Sequence, residues 1–485
     1  MRRRLTTRPV VVVGAGASGL LTTRALLRAG HPSVVLVERD ATWSAGPAYA
    51  TRDAQHLLNV PAGNLSVDGD EPLDFVDWAS RRMPGVTPCA FLPRAQFGAY
   101  LRESLATTAR NARHSRLVRI TAAATSVDPA PSTTFDAPGP RVHLDAGRSI
   151  DAAHVVLALG NPRPRPLAGD AEHVIEDPWS PGAFDRVAPD DVVVMVGSGL
   201  TAIDVALTLV AHRQSRVLRM VSRRGLLPRA HHPQPTRPPR EIGRELPSPL
   251  TARSATAWLR AAIVEADGDW QAVFDAVRPR TNEIWSLLPE RERIRLTRLA
   301  GRYWEVHRHR AAPEVATQAT RLIASGRLHV GTGAVECVER VSRGASRVVV
   351  RDARGARSTI DAHWVVNCTG PDFDVRRSGG AILRGLLDRG RARSGPLGLG
   401  LDVAPDGALV DRAGRAAATV SVVGPLRRGS EWETTAIPEI RAQAEQVAAR
   451  IAASGVPAPP RRMLTGPGAH RALVRRWGAV AEIDR

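Results

Sequence analysis

Lysine is absent from the 485 residues of this chain, so all 67 of its strongly basic side chains are arginine. This absence excludes an enzyme that forms a Schiff base through lysine, and a phosphate-binding loop that ends in Gly-Lys. The formal net charge of +19 at first suggests a nucleic-acid partner. Because the arginines are spread along the whole chain, we attribute the charge to composition and expect no nucleic-acid binding.

Cysteine is scarce as well, and the thiols of Cys89, Cys337 and Cys368 form no closely spaced pair. An oxidoreductase that passes electrons through two neighbouring thiols is therefore disfavoured, and the spacing does not suit zinc. His307 and His309 lack the accompanying pattern of a metal site such as HExxH, so we expect no metal.

Long apolar runs are also missing, and none approaches the roughly 20 residues of a membrane-spanning helix. The basic residues 1–8 run directly into a short strand, without the longer apolar stretch of a secretory signal. We therefore expect a cytoplasmic protein with no membrane partner.

Against this background, two glycine-rich turns are informative. The first follows the run Val10–Val13, and an apolar helical pattern follows it. In a GxGxxG turn the first glycine permits the tight turn, the second admits a pyrophosphate, and the third lets helix and strand pack closely. The helix N-terminus then offers free N–H groups to the anion. The predicted binding residues of this turn are Gly14, Ala15, Gly16, Ala17, Ser18 and Gly19.

The next strand after this helix ends at Glu38 and is followed by Arg39. An acid about twenty residues after the glycines is typical of units that hydrogen-bond the ribose hydroxyls of a dinucleotide. Strand, glycines, helix, strand and acid in this order predict a dinucleotide site that includes both Glu38 and Arg39.

The second glycine-rich turn follows the strand-like run 191–196, and Ala202 takes the place of its third glycine, which the pattern allows. Its predicted binding residues are Gly197, Ser198, Gly199, Leu200 and Thr201. The following strand ends in Arg223 and Arg224 instead of an acid. Arginine binds phosphate through a two-pronged contact, so this ending favours NADPH over NADH. The arginine-rich composition is the alternative explanation.

Two such sites in one chain divide the chemical labour. One holds a redox cofactor tightly, and the other admits a nicotinamide that delivers hydride to it. We expect FAD at the first site and NADPH at the second.

Further segments carry a resemblance to a known family. They read GPAY at 46–49, HLLNVPAGNLS at 56–66, FLPR at 91–94 and WEVHRHRAAP at 304–313. Together they resemble a bacterial family of FAD/NAD(P)-binding proteins that is akin to flavin-containing and N-hydroxylating monooxygenases. The resemblance covers most of the chain, to about residue 450.

This resemblance implies positions around the flavin. The residues that would run beside the isoalloxazine ring are Leu58, Asn59, Val60 and Pro61. Arg94 would help to hold FAD, and residues 422–440 would form a C-terminal flavin segment. The residues of this segment that would bind FAD are Gly424, Thr435 and Ile437. Asn59 is the candidate catalytic donor to the flavin, with a loop-capping amide as the alternative.

One departure from the pattern concerns the linker before the second glycine turn. Oxygen-inserting flavin monooxygenases carry FxGxxxHxxxW there, whereas this chain has Leu167 for the phenylalanine and places Trp179 two residues late. The departure argues against Baeyer–Villiger chemistry. His173 matches the pattern and either contacts NADPH or is an ordinary loop histidine.

The fold class that follows is α/β, with two Rossmann-like dinucleotide-binding domains. We predict an FAD domain at 1–166 and 370–485, with an NADPH domain at 167–369 inserted in it. A helical insertion at 237–325 interrupts the second domain, because this stretch has helical periodicity and few strand signals.

The predicted function is that of an FAD-dependent, NADPH-consuming monooxygenase acting through a flavin hydroperoxide on a small, amine-like nucleophile. No side chain has to act as a nucleophile, because the cofactors carry the chemistry and the protein orients and shelters them. One alternative is a reductase or dehydrogenase without oxygen insertion. Another is a slow redox sensor or partner protein that binds both nucleotides.

Aromatic residues make up only 4% of the chain, yet several cluster in or beside the helical insertion. We predict that the insertion caps the substrate pocket, with Trp304, Arg308 and His309 near the substrate. On this hypothesis Arg308→Ala and His309→Ala leave folding and FAD content intact, and they either release more hydrogen peroxide or weaken substrate binding. The alternative is that the tryptophans form the core of the insertion and the basic run is a solvated face.

Overall fold

The computed structural model describes residues 8–129, 139–169, 172–212, 217–232, 242–342 and 344–454. The predicted start of the insertion at residue 237 lies outside the described residues. The strands are, in chain order, β1 (Val10–Val13), β2 (Ser33–Glu38), β3 (Arg116–Thr121), β4 (Ala124–Pro129), β5 (Pro140–Leu144), β6 (Ser149–Asp151), β7 (His154–Leu157), β8 (Val174–Ile175), β9 (Val193–Val196), β10 (Leu218–Ser222), β11 (Leu328–Thr332), β12 (Ala334–Ser342), β13 (Ala345–Arg351), β14 (Arg357–Ala362), β15 (Trp364–Asn367), β16 (Ala408–Val410) and β17 (Ala416–Val422).

Helices connect and cover these strands. The α-helices are α1 (Ala17–Arg28), α2 (Pro47–Ala50), α3 (Asp74–Ser80), α4 (Arg94–Asn111), α5 (Leu200–His212), α6 (Ala252–Glu265), α7 (Trp270–Val277), α8 (Thr281–Leu287), α9 (Glu290–Arg308), α10 (Pro313–Ala324), α11 (Val375–Ser378), α12 (Ala381–Asp388) and α13 (Ile437–Ala453). No helix within the described ranges is long and apolar enough to cross a membrane.

The first sheet has six strands in the order β16-β17-β7-β1-β2-β3, all parallel except β16. All four valines of β1 are buried, because both faces of the sheet are covered. Val10 and Val12 pack in a core with α1, α4 and α13. Val11 and Val13 pack against the antiparallel sheet β4-β5-β6 and α12. Strands β16 and β17 follow the strands of the second sheet in the sequence, so the chain returns to the first sheet after completing the second.

The second sheet has five parallel strands in the order β11-β10-β9-β15-β8. Val193 and Met195 face a core with α5 and α10, whereas Val194 and Val196 face the antiparallel sheet β12-β13-β14. Two parallel sheets, each covered on both faces and each entered through a glycine turn, confirm the predicted α/β class with two Rossmann-like units.

Helices α6 to α9 form the body of the predicted helical insertion, between β10 and β11. Trp258, Ala262, Val273 and Val277 make their shared core, and Trp304 packs against it. Helix α10 belongs elsewhere, because its buried residues join the core of the second sheet. The aromatic cluster is thus in part an ordinary helical core.

Candidate dinucleotide and substrate sites

The first glycine turn joins β1 to α1, and two of its glycines are required by the packing of the protein itself. Gly14 has a φ of +100°, and a Cβ there would overlap the carbonyl oxygen of Ala158. A Cβ on Gly19 would overlap the carbonyl oxygen of Gly14. These two glycines therefore serve the tight turn and the close approach of helix and strand, as the sequence pattern predicted.

Gly16 differs from its two neighbours in the motif. Its backbone is extended, and a Cβ there would meet only Gly46 and Ala45, at ordinary contact distances of 3.8 and 3.9 Å. The protein does not fill the space above Gly16. Directly after it, Ala17 and Ser18 begin α1 and present the helix N-terminus to the same space. The arrangement suits a pyrophosphate.

Glu38 lies at the same turn, at the end of β2. One of its carboxylate oxygens accepts a hydrogen bond from the backbone N–H of Ala15 at 2.6 Å, and the other accepts one from Asp40 at 3.0 Å. Arg39 beside it is exposed. The fold thus brings the predicted acid to the glycines, where a ribose would lie.

The C-terminal flavin segment meets this turn from the other end of the chain. Gly424 has a φ of +91°, and a Cβ there would overlap the hydroxyl of Ser18. Its N–H donates to the side chain of Gln443 at 2.8 Å. Thr435 is half-buried just before α13, and Ile437 is buried in its first turn. The predicted residues of this segment and those of the first glycine turn therefore lie in one place.

Residues 56–61 run past the start of α4. The N–H of Leu58 donates to the carbonyl of Leu92 at 2.8 Å, and the N–H of Arg94 donates to the carbonyl of His56 at 2.9 Å. Leu58 is buried, and the residues that follow it are half-buried, namely Asn59, Val60 and Pro61. The guanidinium of Arg94 forms an ion pair with Asp204 of α5 at 2.7 Å, a partner that the sequence did not indicate.

His231 is a neighbour of Asn59 that the sequence also did not indicate. Its Nε2 lies 3.0 Å from the carbonyl oxygen of Asn59, and its ring lies against Phe91. Burial, with Arg310 close by, lowers the pKa of His231 to about 4. At neutral pH the ring is therefore uncharged, and the contact requires its Nε2–H to donate to Asn59.

The second glycine turn has the same arrangement as the first, with one glycine required by packing and one that leaves open space. Gly197 has a φ of +123°, and a Cβ there would overlap the carbonyl oxygen of Cys368, whereas a Cβ on Gly199 would meet nothing within 4 Å. The hydroxyl of Ser198 is buried and bonds to Ser222 and to the carbonyl of Leu226, so only its backbone faces the turn. Leu200 and Thr201 then begin α5.

Both arginines after β10 are exposed. The guanidinium of Arg224 lies 5.1 Å from the ring centre of Tyr303, on helix α9 of the insertion. Arg223 precedes it at the end of the strand. The ring of His173, by contrast, lies 4.6 Å from that of Trp364 in the second unit, at a tilt of 57°.

The insertion packs directly on the C-terminal flavin segment. The indole N–H of Trp285 donates to the carbonyl of Gly429 at 2.8 Å, and its ring lies 4.5 Å from that of Trp432. The side chain of Asn282 accepts from the N–H groups of Trp432 and Glu433 and donates to the carbonyl of Glu433. Paired backbone groups of this kind hold a segment in one conformation.

Ion pairs strengthen the same junction. Arg308 pairs with Glu433 at 3.0 Å, and their side chains are only 7% and 4% exposed. Burial alone would raise the pKa of Glu433, but Arg308 and neighbouring cations outweigh it and lower that pKa. The guanidinium of Arg278 donates two hydrogen bonds, of 3.0 and 2.8 Å, to the carboxylate of Glu439.

The alternative of a solvated basic face is therefore wrong for Arg308, and also for Arg310, which is buried and pairs with Asp275. His309 is half-buried next to them, and burial lowers its pKa. Trp304 is also half-buried, and its indole N–H has no hydrogen-bond partner among the described residues. The fold thus brings Arg308 and His309 to the C-terminal flavin segment through Glu433, while their role toward a substrate stays a prediction.

These features define a class of protein with two dinucleotide-binding units, one built by the two ends of the chain and one between them. Residues 11–162 match a family described as FAD-NAD(P)-binding. A search of curated protein sequences found no significant match.

Several solved structures share the fold over nearly the whole chain. The ornithine N-hydroxylase of Kutzneria sp. 744, solved with reduced FAD, NADP⁺ and L-ornithine, is 16% identical, with a TM-score of 0.61, 92% of this chain covered and 99% of that chain. The L-lysine 6-monooxygenase of Pseudomonas syringae is 15% identical with a TM-score of 0.58, and the match covers 93% of this chain and 100% of that chain. The FAD-bound cadaverine monooxygenase of Erwinia amylovora is 13% identical with a TM-score of 0.58, and the match covers 95% of this chain and 98% of that chain. The fold predicted from the resemblance is confirmed.

Proposed function

We propose that this protein is an FAD-dependent, NADPH-consuming monooxygenase that oxygenates a small nucleophile such as an amine. The observation that carries the proposal is the likeness of fold over nearly the whole chain to three amine monooxygenases. The open faces of Gly16 and Gly199 support it, because each leaves room for one pyrophosphate.

The two sites divide the predicted binding residues between the cofactors. The residues that would hold FAD are those of the first glycine turn, Glu38, Arg39, residues 58–61, Arg94 and the C-terminal flavin segment. The second glycine turn would hold NADPH together with Arg223 and Arg224. We accordingly propose the FAD domain at 1–166 and 370–485 and the NADPH domain at 167–369.

FAD, when bound and reduced by NADPH, supplies the activation of molecular oxygen. An amine, NADPH, a proton and oxygen then give a hydroxylamine, NADP⁺ and water. The chain itself contributes orientation and shelter. The insertion would keep water out of the flavin site. It is held against the C-terminal flavin segment by contacts of Trp285, Asn282 and Arg308. Asn59 is held by His231 beside the proposed flavin position, where its amide can donate a hydrogen bond.

The positions of the cysteines favour oxygen over a thiol acceptor. Cys368 is buried behind the second glycine turn, and burial raises the pKa of its thiol above the usual range. Cys337 lies on β12 and Cys89 lies before α4, and all three thiols are free. No two of them form a relay in the described part of the chain.

The test is turnover of the purified protein with NADPH and a panel of amines, amino acids and thioethers. We expect a yellow protein that releases FAD, and a substrate that gains one oxygen atom in mass. One NADPH and one oxygen molecule should be consumed per product. Reduction of a quinone without an oxygenated product would favour a reductase. A slow NADPH oxidation that no compound changes would favour a redox sensor.

Arg223→Ala should weaken NADPH binding about tenfold to a hundredfold and leave NADH binding nearly unchanged. A charge-assisted, two-pronged contact contributes about 1.5–3 kcal/mol, and Arg223 is the arginine at this strand end that does not lie over Tyr303. The measurement is the Kd of each nucleotide, obtained from the dependence of the rate of flavin reduction on nucleotide concentration. Arg219→Ala, an exposed arginine on the same strand, is the matched control. Equal use of both nucleotides by the unmodified protein contradicts the assignment.

A further inference from the structure

A buried ion pair joins the two dinucleotide units. Arg94 stands at the start of α4 in the first unit, and Asp204 lies in α5 of the second. Their side chains meet at 2.7 Å and are 13% and 3% exposed. The Nε–H of Arg94 also donates to the carbonyl of Leu57 at 3.0 Å. The guanidinium is therefore fixed between one helix of the second unit and residues 56–61 of the first.

A second contact lies one helical turn further along α5. The hydroxyl of Thr208 donates to the carboxylate of Asp53 at 2.8 Å, so the Nε2–H of His56, also at 2.8 Å, must donate to the same hydroxyl. The Nδ1 of His56 lies 2.6 Å from the hydroxyl of Thr51, and in a neutral ring it accepts a hydrogen bond from that hydroxyl. The four side chains thus form one continuous hydrogen-bond network.

Both contacts lie on one face of α5, because residues four apart in a helix are neighbours. Helix α5 begins at the second glycine turn, so its position sets that of a nicotinamide dinucleotide bound there. On the other side, residues 51–57 lead directly into Leu58 and Asn59, the proposed neighbours of the flavin ring. The two contacts thus connect the two parts of the chain that would carry the reacting rings.

We propose that Arg94–Asp204 and His56–Thr208–Asp53 form an interdomain clamp that sets the nicotinamide over the flavin for hydride transfer. The proposal rests on the proposed use of both cofactors. It makes Asp204 and Thr208 positioning residues, and it assigns Arg94 to the clamp in addition to any contact with FAD. Because rate depends steeply on the geometry of the reacting atoms, a loose clamp slows hydride transfer more than it weakens binding.

The experiment mixes the FAD-loaded protein rapidly with NADPH in the absence of oxygen and monitors the reduction of the flavin by its absorbance. Thr208→Val removes the hydroxyl with little change in volume, and Asp204→Asn removes the charge. We expect the limiting rate constant of reduction to fall about tenfold in each, with the Kd for NADPH and the FAD content nearly unchanged. Reduction by dithionite, which needs no nicotinamide, should stay as fast as before. Glu103→Gln is the control, because it removes a half-exposed ion pair between α4 and Arg82 within the first unit.

Several outcomes overturn the clamp. An unchanged reduction rate in both variants does so, and so does a loss of FAD from Thr208→Val, which would place the network in FAD binding alone. If Asp204→Asn fails to fold, Thr208→Val decides. If the unmodified protein is not reduced by NADPH, the proposed function fails, and hydrogen exchange then tests the clamp. Thr208→Val should raise exchange in both 51–58 and 200–212, and unchanged exchange in either stretch refutes the clamp.

Discussion

Gly16→Val should give a folded protein that no longer holds FAD. A Cβ at Gly16 would meet Gly46 and Ala45 only at ordinary contact distances, so the backbone of the turn leaves room for a side chain to start there. The same side chain would occupy the space through which a pyrophosphate approaches the helix N-terminus. The measurement is the flavin absorbance of the purified protein, together with its thermal unfolding and circular dichroism.

Two other glycines give matched comparisons. Gly19→Ala should fail to fold, because its Cβ would overlap the carbonyl oxygen of Gly14. Gly199→Val, at the equivalent open position of the second turn, should keep FAD and lose reduction by NADPH. If Gly16→Val retains FAD, the first site is wrongly assigned. If Gly199→Val loses FAD while Gly16→Val keeps FAD and loses reduction by NADPH, the two sites are exchanged.

Arg308→Ala should lower the free energy of unfolding by about 3–5 kcal/mol, because it leaves the buried carboxylate of Glu433 without its partner. Glu433 belongs to the C-terminal flavin segment, so FAD affinity should fall as well. Urea unfolding and FAD release measure the two effects. The burial of the Arg308–Glu433 pair thus argues against the expectation from sequence that Arg308→Ala leaves folding and FAD content intact.

The pH dependence of this loss has a defined sign. In the intact protein the pKa of Glu433 is lowered, so the pair stabilises the fold above the ordinary range of a carboxyl group, and this contribution disappears as the pH falls. In Arg308→Ala, acid neutralises a carboxylate that has lost its partner. The difference between variant and parent should therefore shrink as the pH falls from 7.

Two further variants make the prediction specific. Arg308→Met combined with Glu433→Gln should recover much of the lost stability, because neither charge is then buried alone. Arg298→Ala, an exposed arginine on the same helix, should change little. If Arg308→Ala and Arg298→Ala unfold alike, the buried pair contributes nothing measurable.

The sequence predicted the residues that meet at the first glycine turn, but it left the packing of the insertion open. Its tryptophans had two interpretations, a substrate cap or the core of the insertion, and the structure places Trp258 in that core and Trp304 against it. A periodic aromatic pattern shows that a helix buries one face, and it does not show what that face is buried against. Likewise the basic run at 307–310 could not reveal that Arg308 and Arg310 turn inward.

His231 and Asp204 were missed for a related reason. Neither belongs to a motif, and each acquires its role from a residue in another unit: Asn59 for His231, and Arg94 for Asp204. The sequence offered one signal, because Asp204 lies among the apolar residues of α5. A carboxylate is buried at such a position only when it is paired.

The two glycine turns, the order of strand, helix and acid around them, and hence the class of fold follow from the sequence alone. This pattern is local, because strand, glycine turn, helix and second strand succeed one another within one βαβ unit. The partners of the arginines, by contrast, depend on the tertiary structure. Arg308 pairs across 125 residues and Arg278 across 161. In a chain with 67 arginines, only folding determines which carboxylate each guanidinium meets, because the attraction between charges does not depend on their distance along the sequence.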